Sequence, residues 1–353
     1  MKIVIYKKSY IIIILLILIF YLTLPILKDK LMILKINKYR KLFPNNKIIA
    51  VDISEIGYNS GPGTYIKGIN QILPFNWGNC SFISSYLHIN KDFQPDIYFF
   101  PFPSFNENQY MKFIKTKLIN KFILGPIFVP KEWNSFPNDN IWIEQNFPYL
   151  LELSKGIAVH STRVRDYLAK RADIGENKLN KFKILRSCTN LKPTKIKSFK
   201  ERKIDILFFE KYADYNKRIQ GQKLLNLLRT TSKIIKTIKY GSYKKKMMKQ
   251  LANNSKFIIY FSFYDTGAIG LKEFQNYGVI TFSHQKEFII DNKTSFYVPE
   301  LDNDDKIELA FNKIINIVEN ISKSNVNTEL IAKKNQLINQ CENALIDLCK
   351  SLF

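Results

Sequence analysis

The chain has 353 residues, of which 46% are hydrophobic, and it carries a formal net charge of +24. This length and apolar content provide for one large domain or two medium ones. The positive charge suits anionic partners, but no zinc-finger, RNP-like or basic-zipper pattern accompanies it, so a nucleic-acid-binding protein is a hypothesis that rests on charge alone. The four cysteines are scattered without a CxxC pair, which indicates neither a disulfide framework nor a zinc site.

An apolar segment lies near the start of the chain at residues 9–27. No charge interrupts it, and about 19 residues at a rise of about 1.5 Å each span roughly 29 Å, the thickness of a bilayer core. Lys28 follows Leu27 without an Ala-x-Ala-like site, which favours a retained signal-anchor over a cleaved signal peptide. The sequence therefore predicts a short flank at 1–8, one transmembrane helix at 9–27 and a basic stalk at 28–46.

The charges around this segment leave the side of the membrane open. Lysines flank both ends, and the positive-inside bias slightly favours a domain on the cytoplasmic face. The alternative is a luminal domain, in which four matches to the glycosylation sequon would matter. These sequons begin at Asn79, Asn253, Asn292 and Asn320.

Strands and helices alternate over residues 47–196. Runs of β-branched and aromatic residues predict buried strands, and the amphipathic stretches 66–73 and 161–170 predict helices between them. A Gly-bearing loop, Ser60 to Tyr65, joins the first strand to the first helix. The alternation predicts a doubly wound, parallel sheet in an N-terminal Rossmann-like acceptor domain. The predicted strands are 47–53, 96–100, 121–124, 156–160 and 182–185.

The pattern restarts after a polar link at 192–203. It predicts a second doubly wound domain at 197–310, followed by C-terminal helices at 311–353. The tail from Asp304 onward is expected to form two amphipathic helices, with Cys341 and Cys349 as two positions on the terminal one. The predicted elements of this second domain are strands at 204–209, 236–240 and 279–282, an apolar strand beginning at Phe257, a helix near 221–228 and a solvated basic helix face at 244–249.

One segment of the second domain combines two acidic residues with a Gly-bearing turn. Asp265 and Glu273 lie eight residues apart, where the apolar strand that begins at Phe257 leads through Gly267 into a predicted helix. The N–H groups at the start of a helix and the positive end of its dipole favour a phosphate there. The segment therefore predicts a site for a sugar joined to a nucleotide diphosphate.

The stretch from Tyr260 to Val298 resembles the donor-binding domain of GT-B glycosyltransferases, most closely that of glycosyltransferase family 4. That family carries an acidic residue, seven others and then Glu, and the run from Asp265 to Glu273 matches this spacing. Weaker similarities stand in the family's order, so that the resemblance covers residues 47 to 310. They are 60–65, 158–163, 206–225, 277–280 and 287–298.

The resemblance implies two Rossmann-like domains that face a cleft, and it implies roles for residues around the acidic pair. Glu273 would accept hydrogen bonds from the ribose hydroxyls of the donor. Asp265 would approach the reacting carbon of the sugar, and the amides of Gly267, Ala268 and Ile269 would bind the pyrophosphate. Each has a plainer alternative: Glu273 would only complement the helix dipole, Asp265 would be a turn or cap residue, and the turn would only be flexible.

Three cations follow the strand at 204–209. By the resemblance, Lys211, Lys217 and Arg218 would stabilise the negative charge that builds on the leaving nucleotide diphosphate. Arg218 is favoured among them for its planar guanidinium, and surface charge is the alternative for all three. In the first domain, Gly61 and Gly63 would let the backbone approach the ligands across the cleft. Two of the three histidines, His160 and His284, are expected to be structural.

The chain departs from the family pattern at three points. Asp265 stands where Glu is usual, no Pro precedes Val279, and no His follows the strand at 96–100. These departures leave a catalytically inactive, membrane-tethered scaffold as the alternative function. The main prediction is a membrane-anchored, retaining glycosyltransferase that uses a nucleotide-sugar donor and a glycan, lipid or protein acceptor. No Asp-x-Asp motif is present, so neither a metal nor a cofactor is expected, and no nucleic-acid partner is expected.

Overall fold

The computed structural model describes residues 2–53, 56, 61–85, 94–101, 120–126, 148–171, 173–189, 193, 195–211, 215–262, 268–339 and 341–353. The first element is a single helix, α1 (Lys2–Leu42), whose apolar side chains from Ile12 to Phe20 are all exposed. Within the described ranges no helix combines the length and the apolarity needed to cross a membrane. The predicted transmembrane segment at 9–27, which lies within α1, is therefore not confirmed.

The second half of α1 is part of the folded domain. Ile36 is buried, and Met32 and Tyr39 pack against the same apolar cluster of the first sheet. Arg40 also donates a hydrogen bond from Nη2 to the carbonyl oxygen of Gln94, at 2.7 Å. The predicted stalk at 28–46 is therefore helical as far as Leu42 and is anchored to the domain that follows it.

The N-terminal lobe, residues 47–189, contains a seven-stranded sheet. Its strands pair in the order β2-β3-β1-β4-β5-β6-β7, and all the pairs are parallel except the antiparallel edge pair of β2 with β3. The central strands are buried apolar runs, as expected for a sheet covered on both faces. The strands are β1 (Lys47–Asp52), β2 (Phe75–Trp77), β3 (Cys80–Ser85), β4 (Ile97–Phe100), β5 (Phe122–Leu124), β6 (Gly156–Val159) and β7 (Phe182–Ile184).

Two apolar clusters cover the two faces of this sheet. The first includes the buried end of α1 and the helix α3 (Thr162–Arg171), and the second includes α2 (Gly61–Asn70). The parallel, doubly wound sheet predicted for this region is confirmed, with the addition of the antiparallel strand β2. The strands β2 and β3 were not predicted, because β2 has three residues and β3 carries small polar residues such as Ser81 and Ser84.

The C-terminal lobe, residues 204–338, contains a five-stranded sheet in the order β12-β11-β10-β8-β9, in which every pair is parallel. Phe257 and Ile259 on one face and Ile258 and Tyr260 on the other belong to two separate clusters, so both faces are covered. The elements are β8 (Ile204–Lys211), α4 (Tyr215–Arg229), β9 (Ile235–Lys239), α5 (Lys245–Asn254), β10 (Ser255–Ser262), α6 (Ile269–Asn276), β11 (Ile280–Ser283) and β12 (Ser295–Tyr297).

The C-terminal tail forms three helices where two were predicted. They are α7 (Asp304–Lys323), α8 (Thr328–Ile338) and α9 (Cys341–Leu352). The predicted boundary at 310 falls inside α7, which packs on the second lobe through Ile307 and Ile314. The helix α8 also packs on this lobe, because Asn335 Nδ2 donates to the carbonyl oxygen of Gln275 at 3.0 Å. The helix α9 instead returns to the N-terminal lobe.

The return of α9 creates a disulfide between Cys80 and Cys349, which corrects the expectation of no disulfide. Cys80 begins β3 and Cys349 lies near the end of α9, at a sequence separation of 269 residues. Leu345 and Leu348 of α9 are fully buried in the same apolar cluster as β1 and β3. The pairing could not be inferred from cysteine spacing, because it depends on where the final helix packs.

Candidate functional site

The candidate site lies where the carboxyl ends of the two parallel sheets approach each other. In the second lobe Lys211 and Ser262 are opposite one another at the ends of β8 and β10. The helix α6, which follows β10, contacts α2 of the first lobe, and its first residue, Ile269, packs against the apolar cluster of that lobe. Ligands of open α/β sheets bind at such carboxyl ends, so α6 belongs to the region where a ligand is expected.

Glu273 is a buried carboxylate on α6. Its side chain is only 3% exposed, and Lys245 Nζ at the start of α5 contacts its Oε1. Burial raises the pKa of Glu273, while the positive charges of Lys245 and Lys249 act in the opposite direction. A carboxylate has two oxygens, so Glu273 has the capacity to accept hydrogen bonds besides the one from Lys245.

The rest of the predicted acidic segment is only partly described. Asp265 and Gly267 lie outside the described residues. Ala268 is fully buried with a φ of 45°, in the left-handed region, and it is the residue that begins the turn into α6. Ile269 is the first residue of α6, so its amide is among those that have no acceptor within the helix. The amides of Ala268 and Ile269 remain the candidates for phosphate contacts.

The three predicted cations have different surroundings. Lys217 Nζ lies 3.1 Å from Glu300 Oε1 and 2.9 Å from Asp302 Oδ1, so two carboxylates already neutralise it. Lys211 Nζ stands 4.6 Å from the centre of the Tyr240 ring, a cation–π distance. Arg218, in the first turn of α4, is exposed. Lys211 is the last residue of β8, so among the three predicted cations it is the one at the carboxyl end of the sheet.

A cluster of aromatic side chains, which was not predicted from the sequence, lies next to Lys211. Phe209 at the end of β8 lies 5.0 Å from Tyr260, 6.1 Å from Tyr243 and 6.4 Å from Tyr240, measured between ring centres. Tyr240 is 55% exposed, so one face of the group remains accessible. The signal was present as two tyrosines around Gly241, directly after β9.

A second missed feature is a pair of cations between the lobes. Lys272 lies on α6, one turn after Ile269, and burial together with the positive charge of Arg186 lowers its pKa to about 8. Arg186 follows β7 and Leu185 of the N-terminal lobe, and Leu185 belongs to the cluster that Ile269 contacts. Among the described residues, neither an acceptor nor a carboxylate accompanies the Lys272 ammonium. Two adjacent cations in a partly buried place favour an anion as ligand.

The N-terminal lobe contributes polar side chains at its carboxyl edge, among them His160 and Ser187. The Nδ1 atom of His160, which follows β6, lies 3.1 Å from the carbonyl oxygen of Leu185 and 3.3 Å from Ser187 Oγ. Gly61 and Gly63 lie in the first turn of α2 and are not part of a loop, which corrects the predicted Gly-rich loop at that point. A helix start there still brings backbone amides toward the cleft.

His284 lies in the second lobe, after β11. The ring of His284 stacks on Phe261 at 5.5 Å between centres. Burial, with smaller contributions from Arg163 and Lys217, lowers the pKa of His284 to about 4. The ring is therefore neutral near pH 7, and its surroundings agree with the structural role expected from the sequence.

A polar contact joins the two lobes beside this histidine. Arg163 of α3 places Nε 2.5 Å from Glu287 Oε1, and its Nη2 lies 3.4 Å from Gln285 Oε1. Gln285 Nε2 in turn donates to the carbonyl oxygen of Ser262, at the end of β10, at 2.5 Å. The contact connects the first helix after β6 with the carboxyl end of the second sheet, so it fixes the spacing of the two strand edges at this point.

The described residues contain no group of three or more His, Cys, Asp or Glu side chains that could hold a metal ion. The prediction of a metal-independent reaction is not tested by this observation.

Comparisons with known proteins place this architecture among characterised folds. No family model and no curated protein sequence match the chain. The sucrose-phosphate synthase of Thermosynechococcus elongatus matches with a TM-score of 0.53 and 9% identity over 86% of this chain and 98% of its own. The apo form of the lipopolysaccharide outer core galactosyltransferase WaaB matches with a TM-score of 0.51 and 12% identity over 87% of this chain and 98% of its own.

A third structure, TarM, has 13% identity to the chain and a TM-score of 0.48, over 72% of this chain. The chain spans only 54% of TarM, so that likeness adds nothing to the assignment. At these identities the first two structures show the fold alone. The chain has the GT-B fold of two Rossmann-like domains, as the sequence predicted.

Proposed function

We propose that this protein is a glycosyltransferase, which transfers a sugar from a nucleotide-sugar donor to an acceptor in the cleft between its two lobes. The observation that supports this most is the position of Glu273, a buried carboxylate on the helix that follows β10 at the carboxyl edge of the second sheet. A GT-B fold makes this edge the expected place for a nucleotide. Two proteins of similar fold, a sucrose-phosphate synthase and a galactosyltransferase, are compatible with the proposal.

In this proposal Glu273 accepts hydrogen bonds from the two ribose hydroxyls of the donor. A carboxylate has two oxygens for this purpose, and hydrogen bonds to a charged acceptor are stronger than neutral ones. The positive charge of Lys245 opposes the rise in the pKa of Glu273 that burial causes, and so favours the ionised carboxylate. The exposed face of Tyr240 offers an apolar surface nearby.

Negative charge on the leaving diphosphate is stabilised by the cations at the same edge. Lys211 and Lys272 are the candidates, because Lys211 lies at the end of β8 and Lys272 lies on α6 near the positive charge of Arg186, whereas Lys217 is neutralised by Glu300 and Asp302. Fixed cations accelerate the reaction when they bind the developing charge more strongly than the ground state. The amides at Ala268 and Ile269 would add hydrogen bonds from the start of α6.

The proposal also covers the stereochemistry of the transfer, the need for a metal or cofactor, the role of Asp265 and the class of acceptor. Transfer with retention of configuration, without a metal or another cofactor, follows from the family that the segment 260–298 resembles. Asp265 would approach the reacting carbon in that mechanism. The acceptor is a glycan, a lipid or a protein.

Membrane attachment through residues 9–27 also remains a proposal. It is supported by the exposed apolar side chains from Ile12 to Phe20 on α1 and by the continuity of that helix into the docked end around Ile36. The Cys80–Cys349 disulfide favours an oxidising compartment over the cytoplasmic face, because cytosolic thiols are kept reduced. We therefore propose the luminal or exterior orientation, the alternative that the sequence left open.

The experiment is a turnover assay with the full-length protein in detergent and a panel of nucleotide sugars. The proposal expects release of nucleotide diphosphate from at least one donor, and a loss of this activity in Glu273→Gln. Glu308→Gln, an exposed carboxylate on α7, is the matched control and should keep full activity. Nucleotide binding without turnover of any donor would favour the inactive scaffold, and the absence of both would refute the site.

A further inference from the structure

The helix α9 carries two cysteines, and each meets a cysteine of the N-terminal lobe. Cys349 is bonded to Cys80, whereas Cys341 and Cys188 are both unbonded and buried. Cys341 is the first residue of α9, and Cys188 follows β7. The four cysteines thus fall into two pairs, and each pair joins the same helix to the same lobe.

The second pair lies in a tightly packed place. The two cysteines and the fully buried Tyr65 of α2 belong to the same apolar cluster, and each thiol lies near enough to the other to act on it electrostatically. A Cβ atom placed on Gly68 of α2 would stand 3.1 Å from Cys341 Sγ and 3.0 Å from the carbonyl carbon of Thr189. The backbone of α2 therefore holds the start of α9 close to the segment that carries Cys188.

The spacing along α9 explains why both cysteines face the lobe. Cys349 lies eight positions after Cys341, which is about 12 Å along a helix and a little more than two turns. Ala344, Leu345 and Leu348, between them, are all buried in the cluster of the N-terminal lobe. One side of α9 thus rests on the lobe from its first residue to its disulfide.

We propose that Cys188 and Cys341 form a second disulfide, so that α9 is covalently joined to the N-terminal lobe at both of its ends. The oxidant is a disulfide compound such as oxidised glutathione or the disulfide of an oxidoreductase. The Cys341 thiolate attacks one sulfur of that compound, forms a mixed disulfide and releases one thiol. The Cys188 thiolate then displaces the second thiol. The two cysteines lose two protons and two electrons, and the oxidant becomes two thiols.

The packing determines when this exchange takes place. Burial, and then the neighbouring Cys341, raise the pKa of the Cys188 thiol well above its usual range, so the thiolate that exchange needs is scarce once α9 is in place. The bond therefore forms while α9 is undocked, during folding or local opening. Once α9 has docked, the same burial protects the bond from reductants.

The consequence concerns the coupling of the lobes. The chain passes from α8, which packs on the C-terminal lobe, directly to α9, which packs on the N-terminal lobe. With the Cys80–Cys349 bond alone, only the far end of α9 is covalently attached to the N-terminal lobe. The end next to α8 is held by packing alone and can separate from that lobe. A bond at Cys341 fixes that near end as well, and it limits how far the two lobes can move apart at the tail.

The test uses the full-length protein, reduced and unfolded, and then folded with a mixture of reduced and oxidised glutathione. The product is denatured, treated with an alkylating reagent and analysed by mass spectrometry of linked peptides. We expect the pairs Cys80–Cys349 and Cys188–Cys341 and no alkylated cysteine. The double variant Cys80→Ser/Cys349→Ser should still give the Cys188–Cys341 pair, and Cys341→Ser should leave Cys188 as the alkylated cysteine.

The disulfide pairing is read from the wild-type protein, so the test gives a result even if a variant fails to fold. If the folded protein contains the Cys80–Cys349 bond while Cys188 and Cys341 are both alkylated, the proposal is wrong. Pairing of Cys188 with any cysteine other than Cys341 also overturns it. As a second measurement, a larger fall of the melting temperature on reduction in the wild type than in Cys341→Ser supports the second bond, and equal falls contradict it.

Discussion

The two lobes share an architecture but differ in what their sheets present at the cleft. The carboxyl edge of the C-terminal lobe carries the charged residues Lys211, Lys272 and Glu273. The corresponding edge of the N-terminal lobe carries the polar side chains of His160 and Ser187, together with the buried Asp52 at the end of β1 and Arg186 after β7. The two lysines of the C-terminal edge suit a ligand with phosphates, and the polar side chains of the N-terminal edge suit a ligand with hydroxyl groups. In the function proposed above, the C-terminal edge would bind the donor and the N-terminal edge the acceptor.

The difference between the two edges is largest at α6, a helix of the C-terminal lobe that contacts both lobes. Ile269 packs against the N-terminal lobe, while Glu273, one turn later, is directed to Lys245 of its own lobe. One short helix therefore relates the two edges, and a change on either side of it should affect the lobes differently. The predictions below use this asymmetry.

The largest effect is expected from Glu273→Gln. Loss of the charge weakens the hydrogen bonds from the ribose hydroxyls, so turnover of the donor should fall about 100-fold. The variant should leave the N-terminal lobe intact, which circular dichroism and the melting temperature will show. A variant with undiminished turnover would mean that the C-terminal edge is not the donor site.

Acid stability should depend on His284 of the C-terminal lobe. The pKa of this histidine is about 4 in the folded protein and 6.5 in the unfolded chain, so the unfolded state binds more protons between these values. Stability should fall by about 2 kcal/mol as the pH decreases from 6.5 to 4. Denaturant titrations of His284→Phe, which keeps a ring against Phe261, should lack this loss. An identical pH dependence in the variant would refute the assignment.

Lys245→Met should reduce turnover by about 10-fold and move its pH dependence. Lys245 opposes the burial that raises the pKa of Glu273, so its removal raises that pKa further. The carboxylate then ionises at a higher pH, and the acid limb of the turnover profile should shift upward. Lys246→Met, on the exposed side of the same helix, is the control and should leave the profile unchanged.

The smallest expected effect concerns Lys272, which faces the other lobe. Because its pKa is about 8, its positive charge is lost as the pH rises through that value. Affinity for the nucleotide diphosphate should therefore decrease several-fold between pH 7 and pH 9, by about 1 kcal/mol or less. Calorimetric titration of Lys272→Met should show weaker binding without this decrease, whereas Lys333→Met should behave as the wild type. If the affinity of Lys272→Met for the nucleotide diphosphate still decreases between pH 7 and pH 9, the titration of another group causes the decrease.

Much of the fold could be predicted because its central strands are local features of the sequence. Strands such as β1 and β8 are continuous runs of apolar residues that are buried on both faces, and such runs need no knowledge of their neighbours to be recognised. The strand β3 escaped because Ser81, Ser84 and Ser85 give it a polar composition, although it lies next to β1 in the sheet. Its burial comes from neighbours that are remote in sequence.

The candidate site shows the same limit. The spacing around Glu273 and the turn into α6 are local, and they were predicted. The contact of Glu273 with Lys245, the repulsion between Lys272 and Arg186 and the bond of Cys80 with Cys349 join residues from different elements, which only the packing of those elements brings together. Charge and cysteine patterns along one chain do not contain that information.

The central claim is that the carboxyl edge of the C-terminal lobe binds the nucleotide of the donor. Hydrogen exchange of the full-length protein, with and without UDP, GDP and ADP in turn, tests it most directly. We expect at least one nucleotide to slow exchange in the peptides that cover 239–248 and 269–276, and Glu273→Gln to remove this protection. Protection confined to the N-terminal lobe, or none with any of the nucleotides, would contradict the account.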